Sequence, residues 1–145
     1  MSMEKLANHI IAVAQGKNLS ITNLQLQKVM YFTIRLARLE KSENDDELKK
    51  LDELKKLYDK KFYVWKYGPV VPEIYDKYKK FGSNPITGNF SQDDEYIKWN
   101  ANIENLLSIS VFKLVNLSHN VEFWQKNSDK IEGYRSDVAY ELENI

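Results

Sequence analysis

The chain of 145 residues contains no cysteine, no excess of either charge sign and no long apolar run. The lack of cysteine excludes disulfide frameworks, thiolate zinc sites and cysteine nucleophiles. The 21 basic residues balance the 21 acidic ones, which argues against the basic surface of a nucleic-acid binder. No apolar run approaches the roughly 20 residues that cross a bilayer, and the N-terminal segment lacks a signal-peptide pattern. We therefore expect a cytoplasmic protein without membrane or nucleic-acid partners.

Apolar residues at helical spacing dominate what is present. Leu6, Ile10 and Val13 predict a first helix. Thr22, followed three residues later by Gln25, forms a capping-box pattern that predicts the start of a second helix. The length is near that of a common single domain. These patterns predict one compact, mainly α-helical domain over the whole chain.

Further helices are predicted in the second half of the chain. Ser91 is placed to cap a helix over residues 93–109, because the acidic residues that follow it favour a helix N-terminus. Ser110 is placed to begin another helix. Residues 136–145 predict a short final helix.

Residues 41–61 are rich in charges of both signs and carry leucines at every third position from Leu48 to Leu57. This composition predicts an exposed amphipathic helix. A strict three-residue spacing drifts around a helix with 3.6 residues per turn, so the leucines should form a narrow, slanted stripe. We favour docking of this stripe onto the chain's own domain over binding to a partner.

The stretch VWKYGPVVPEIY, residues 64–75, predicts a rigid corner. The aromatic residues before Gly68 predict a short extended or β segment around residues 62–67. Pro69 and Pro72 disfavour helical backbone at the residues before them, and Pro72 also suits the first turn of a new helix. The corner should therefore fix several aromatic side chains, either in the core or at an interface.

Catalytic and metal-binding motifs are scarce. The sequence has no P-loop, GxGxxG, HExxH or GxSxG motif, and His9 and His119 lie far apart. His119 is the one candidate for acid–base work, with Ser118 and Glu122 close in sequence. We favour a hydrogen bond across a helix end for His119, because sequence proximity supplies no nucleophile or oxyanion site. The expectation is a protein without metal or cofactor that is not an enzyme.

Residues 21–32, 64–82 and 114–124 resemble, in order and spacing, the Panacea antitoxin-domain family, which includes SocA-like antitoxins and phage-associated GepA-like proteins. The most specific part is WKYGPVVP with a tyrosine close behind. The matching positions are Leu26, Gln27, Lys28, Tyr31, Trp65, Lys66, Tyr67, Gly68, Pro69, Val70, Val71, Pro72, Tyr75, Ser118, His119 and Trp124. The chain departs from the family pattern in a charged helical elaboration at residues 41–61 and in the segment after Trp124.

The resemblance implies a compact, mainly helical domain that neutralises a cognate protein toxin by direct contact. One family branch instead presents its toxin to a AAA+ protease, so a proteolytic adaptor is the alternative; a small enzyme using His119 is a third, weaker hypothesis. The candidate partner-binding residues are Trp65, Lys66, Tyr67, Val70, Glu73 and Tyr75. The matching positions with a structural role are Leu26, Gln27, Lys28, Tyr31, Gly68, Pro69, Val71, Pro72, Ser118, His119 and Trp124.

Overall fold

The computed structural model describes residues 1–41 and 46–145. Over these residues the chain is mainly α-helical with one small antiparallel sheet, as the sequence predicts. The α-helices are α1 (Met3–Gly16), α2 (Asn23–Leu39), α3 (Glu47–Leu57), α4 (Pro72–Tyr78), α5 (Asn100–Leu107), α6 (Val111–His119) and α7 (Glu122–Asn127). The strands are β1 (Tyr63–Trp65) and β2 (Gly68–Val70), and 3₁₀ turns span Lys79–Phe81, Asp94–Trp99, Ser128–Lys130 and Leu142–Asn144. Within the described ranges, no helix has the length and apolar character needed to cross a bilayer.

Helix α2 lies at the centre of the fold and contacts α1, α3, α4, α5, α6 and β2. Its predicted start is confirmed, because Thr22 Oγ1 accepts a hydrogen bond from Gln25 N at 3.2 Å and so satisfies a free backbone donor of the first turn. Leu26, Met30 and Ile34 are completely buried along it. The other elements therefore pack around this helix.

The prediction of one helix over residues 93–109 with Ser91 as its cap is wrong. Asp93 instead caps a 3₁₀ turn by accepting a hydrogen bond on its side chain, and α5 begins only after that turn. Side chains three residues apart lie on the same side of a 3₁₀ helix. The tighter turn therefore places both Tyr96 and Trp99 in the core, where each is buried.

His9 fixes both ends of this turn from within α1. Its buried ring accepts a hydrogen bond from Asp93 N at Nδ1 (2.9 Å), and its Nε2 lies 2.7 Å from Asn100 Oδ1. Because Nδ1 is the acceptor, Nε2 carries the proton and donates it to the amide oxygen. His9 is therefore a satisfied core histidine.

Strands β1 and β2 form a hairpin, of which the sequence predicted only the first strand. Trp65 pairs with Gly68, so Lys66 and Tyr67 form a two-residue turn. Gly68 has a φ of +98°, a conformation that glycine adopts without steric cost. The second strand escaped prediction because it contains Pro69, and proline within a run normally argues against a strand.

The prediction of a helix over residues 136–145 is also wrong. Residues 134–140 run along the free edge of β1, where Val64 N donates a hydrogen bond to Val138 O at 2.9 Å and two further backbone bonds flank it. A free strand edge presents unpaired backbone groups, whereas an isolated short helix is marginal in water. The edge pairing therefore prevails, and only one 3₁₀ turn remains near the end.

Helix α3 docks onto the domain through its C-terminal half. Leu54 and Leu57 are buried in the core, whereas Leu51 is 38% exposed and Leu48 is 74% exposed. This gradient is the one expected from a three-residue leucine spacing on a 3.6-residue helix. Residues 42–45 of the predicted elaboration lie outside the described residues.

We predict that Leu57→Ala lowers the free energy of unfolding by about 2–5 kcal/mol, because it leaves a cavity in the core. The matched control is Leu48→Ala on the same helix, which should change it by no more than about 0.5 kcal/mol. Urea denaturation followed by circular dichroism measures both. Equal effects of the two substitutions would contradict the docked orientation of α3.

Candidate functional site

Two neighbouring side chains of α2 complete the outer edge of β2. Gln27 Oε1 accepts a hydrogen bond from Val71 N at 2.9 Å, and Lys28 Nζ donates one to Pro69 O at 2.6 Å. Both side chains are completely buried. They bind the backbone groups that an additional strand would otherwise bind at this edge.

The lysine at this edge is also a completely buried titratable group. Removal from water disfavours its charged form and lowers the pKa of Lys28 from 10.5 to about 7. Gly68 packs directly against it: a Cβ at this glycine would lie 2.8 Å from Lys28 Cε and closer still to Ser118 Oγ. Gly68 is therefore required by its neighbours as well as by its positive φ.

Helices α6 and α7 hold the other side of the hairpin turn. Trp124 Nε1 donates a hydrogen bond to Trp65 O, and His119 Nε2 lies at the same 2.9 Å distance from Lys66 O. The imidazole and indole rings are stacked, with centroids 3.8 Å apart and an interplanar angle of 18°. The backbone of the turn is thus fixed from both flanks.

His119 has a structural position in this arrangement. A carbonyl oxygen can only accept, so Nε2 carries the proton, and burial lowers the pKa of His119 so that its ring stays neutral at pH 7. Its sequence neighbours are engaged elsewhere: Ser118 Oγ donates to Val115 O at 2.7 Å, and Glu122 pairs with Lys126 at 2.8 Å. Ser118 and Glu122 therefore do not assemble an acid–base site with His119.

The candidate partner-binding residues divide by exposure. Trp65 and Val70 are only 5% and 2% exposed, so burial in the fold removes them from the surface that a partner can contact. Glu73 is exposed but forms an ion pair with Lys60 at 2.7 Å, and Tyr75 is half-buried. That leaves the turn itself, Lys66 and Tyr67, as the exposed pair at the tip of the hairpin.

The positions to which the sequence gave a structural role lie mostly inside the domain. Leu26, Gln27, Lys28, Tyr31, Gly68, Pro69, Val71 and Ser118 are buried, and Pro72, His119 and Trp124 are half-buried. Trp65 belongs with them, because its ring lies against Tyr75 (centroids 5.1 Å apart) and under the Arg135 guanidinium at 4.4 Å. The aromatic corner is therefore chiefly core, with a two-residue tip in solvent.

Beside the tip lies an open groove of about 900 Å³, which we call the hairpin groove. One wall is a single face of α6, and the others are the turn, Trp124, residues 128–133 and Leu24 at the start of α2. Its lining includes Leu24, Lys66, Tyr67, Phe112, Asn116, His119 and Ile131. Phe112 is 78% exposed and Tyr67 is 53% exposed, so the groove presents aromatic surface to solvent.

Sequence reasoning missed the α6 wall of this groove. Helix α6 buries Leu114 and Val115 against the domain, yet Phe112 and Leu117 are exposed. A large apolar residue outside the buried stripe of an amphipathic helix is the signal that was present. The sequence did not show which apolar residues of α6 lie outside the buried stripe, because α6 is short and apolar on more than one face.

The described part of the chain holds no group of three or more His, Asp or Glu side chains that could bind a metal ion. Comparisons with models of known protein families, with curated proteins and with solved structures find no match. The resemblance stated above therefore rests on the motif residues alone.

We predict that stability rises with pH through the titration of Lys28. Between pH 7 and 9.5 the unfolded chain keeps this proton while the folded chain loses it, so the free energy of unfolding should increase by about 2–3 kcal/mol. The range ends at pH 9.5 because tyrosines of the unfolded chain begin to ionise near pH 10. Burial raises the pKa of Tyr31 to about 12, so the folded chain keeps that proton, and the free energy of unfolding then falls as pH rises further.

Lys28→Met should remove most of this rise in the free energy of unfolding with pH, whatever the substitution does to stability at a single pH. Urea denaturation at pH 7, 8 and 9.5 measures the slope, with Lys49→Met on an exposed lysine as the matched control. An unchanged slope in Lys28→Met would show that Lys28 is not titrating in the folded protein.

Proposed function

We propose that this chain is a Panacea-like antitoxin that neutralises a cognate protein toxin by binding it directly through the hairpin groove and the Lys66–Tyr67 tip. The observation that carries the proposal is the exposed aromatic surface beside a rigid turn. Contiguous exposed apolar surface on a small domain is typical of protein interaction sites. The motif resemblance supplies the class of partner.

The rigidity of the site supports binding. The hairpin backbone is bonded to Gln27, Lys28, His119 and Trp124, so little conformational entropy remains to be lost when a partner docks. Tryptophan, tyrosine and arginine are enriched among the interface residues that contribute most binding energy. Tyr67 is an exposed residue of this kind. Protein contact is therefore the activity that this geometry serves best.

A proteolytic adaptor is the second candidate, and a specific observation favours it. Helix α3 keeps Leu48 and Leu51 exposed outside the hairpin groove, which gives the domain a second apolar surface. In this variant of the proposal, the groove binds toxin and α3 binds a AAA+ protease. Loss of toxin protein, rather than its capture, then causes neutralisation.

We predict that the double variant Lys66→Ala/Tyr67→Ala loses toxin neutralisation while its thermal unfolding stays close to that of the parent. Both side chains are exposed, and such substitutions typically change stability by no more than about 0.5 kcal/mol each. The test co-expresses the protein with the product of the adjacent gene, scores growth, and then measures co-purification from the surviving cells.

The matched control is Leu48→Ala/Lys49→Ala, which removes an exposed apolar residue and a lysine on α3. Direct binding predicts rescue and a stable complex with this control. Adaptor function predicts that the control still binds toxin but no longer removes it from cells that contain the protease. Full neutralisation by the Lys66→Ala/Tyr67→Ala variant would overturn the proposed interface.

A further inference from the structure

The hairpin offers no backbone edge to an incoming peptide. Residues 134–140 occupy one edge of β1 and β2 occupies the other. The outer edge of β2 is bound by Gln27 and Lys28. Strand addition, which needs a free edge, is therefore blocked at this site. A segment that enters the groove must satisfy its own backbone hydrogen bonds, because unpaired polar groups on apolar surface are costly.

The α6 wall of the groove is long enough to contact about two turns of a partner helix. Phe112, Asn116 and His119 follow one another at four- and three-residue spacing on α6, and all three line the groove. Seven residues of helix rise about 10 Å, or two turns. A partner helix that lies along α6 would meet this wall with side chains at i, i+3, i+4 and i+7.

The groove also differs in character between its two ends. At the start of α6 the surface is the apolar ring of Phe112. At the other end, His119 at the last position of α6 bonds the backbone of Lys66, which places the lysine there. None of the described residues that line the groove carries a carboxylate. Among the described residues, Lys66 has no acidic group within ion-pair distance.

We propose that the hairpin groove binds an amphipathic helix of the toxin, with apolar side chains against Phe112 and a carboxylate near Lys66 about two turns away. This inference rests on the proposed function for the identity of the partner. The helical form follows from the occupied strand edges, and the acidic residue follows from charge complementarity with the uncompensated lysine.

The test is selection of 16-residue peptides, displayed on phage with a helix-forming background, against the purified full chain. The expected consensus has apolar residues at helical spacing and one Asp or Glu about seven positions from the first of them. Fluorescence anisotropy then measures Kd of the best peptide for the parent, Phe112→Ala, Lys66→Gln and the control Leu48→Ala. We expect Phe112→Ala to weaken binding about tenfold or more, Lys66→Gln about three- to tenfold, and Leu48→Ala to leave it unchanged.

A peptide in which the selected acid is replaced by its amide separates charge pairing from packing. The amide peptide should bind the parent and Lys66→Gln equally, because it already lacks the carboxylate that pairs with Lys66. Equal affinity of the acidic peptide for Phe112→Ala and the parent, or a consensus without an acid, would overturn the inference. So would concentration-dependent dimers of the parent that Phe112→Ala abolishes, since the groove would then bind a second copy of this chain.

The same peptide separates this inference from the proposed function. If the toxin is neutralised and co-purifies but the peptide does not displace it, the function stands and the groove inference fails. If the peptide binds as expected and no toxin is neutralised, the groove chemistry stands and the antitoxin function fails.

Discussion

The bonds from Gln27 and Lys28 to the outer edge of β2 are the contacts on which the rest of the site depends. Each strand has only three residues, and an isolated hairpin of that size is at best marginally stable in water. Side chains from α2 replace a missing strand on one side. A buried lysine is an expensive donor for this purpose, and its lowered pKa reports that cost.

This arrangement explains why the proposed binding surface consists of side chains. The backbone of the hairpin is hydrogen-bonded by side chains of α2, by residues 134–140, and by His119 and Trp124. The turn is therefore held in one orientation, and only its two side chains project into solvent. In the proposed function, such a surface selects its partner by the shape and charge of a folded segment.

The candidate site could be predicted in part. Sequence placed Lys66 and Tyr67 at a corner, and the structure exposes both. Trp65 and Tyr67 are both large aromatic residues of the same short stretch, yet the structure buries Trp65 and exposes Tyr67. Which aromatic residue lies inside depends on the pairing of Trp65 with Gly68 and on the cover from Tyr75 and Arg135. The Arg135 contact comes from a distant part of the chain and leaves no local pattern.

Local chemistry let the sequence by itself determine the mainly helical fold, the capped start of α2 at Thr22 and the new helix at Pro72, because each depends on residues within one or two turns. Tertiary structure alone decided the second strand, the path of residues 134–140 along β1 and the hairpin groove. Each of these depends on contacts between residues far apart in the sequence, such as Gln27 with Val71 and Val64 with Val138. The physical reason is that hydrogen-bond satisfaction and burial are properties of the packed chain, whereas spacing and capping are properties of a segment.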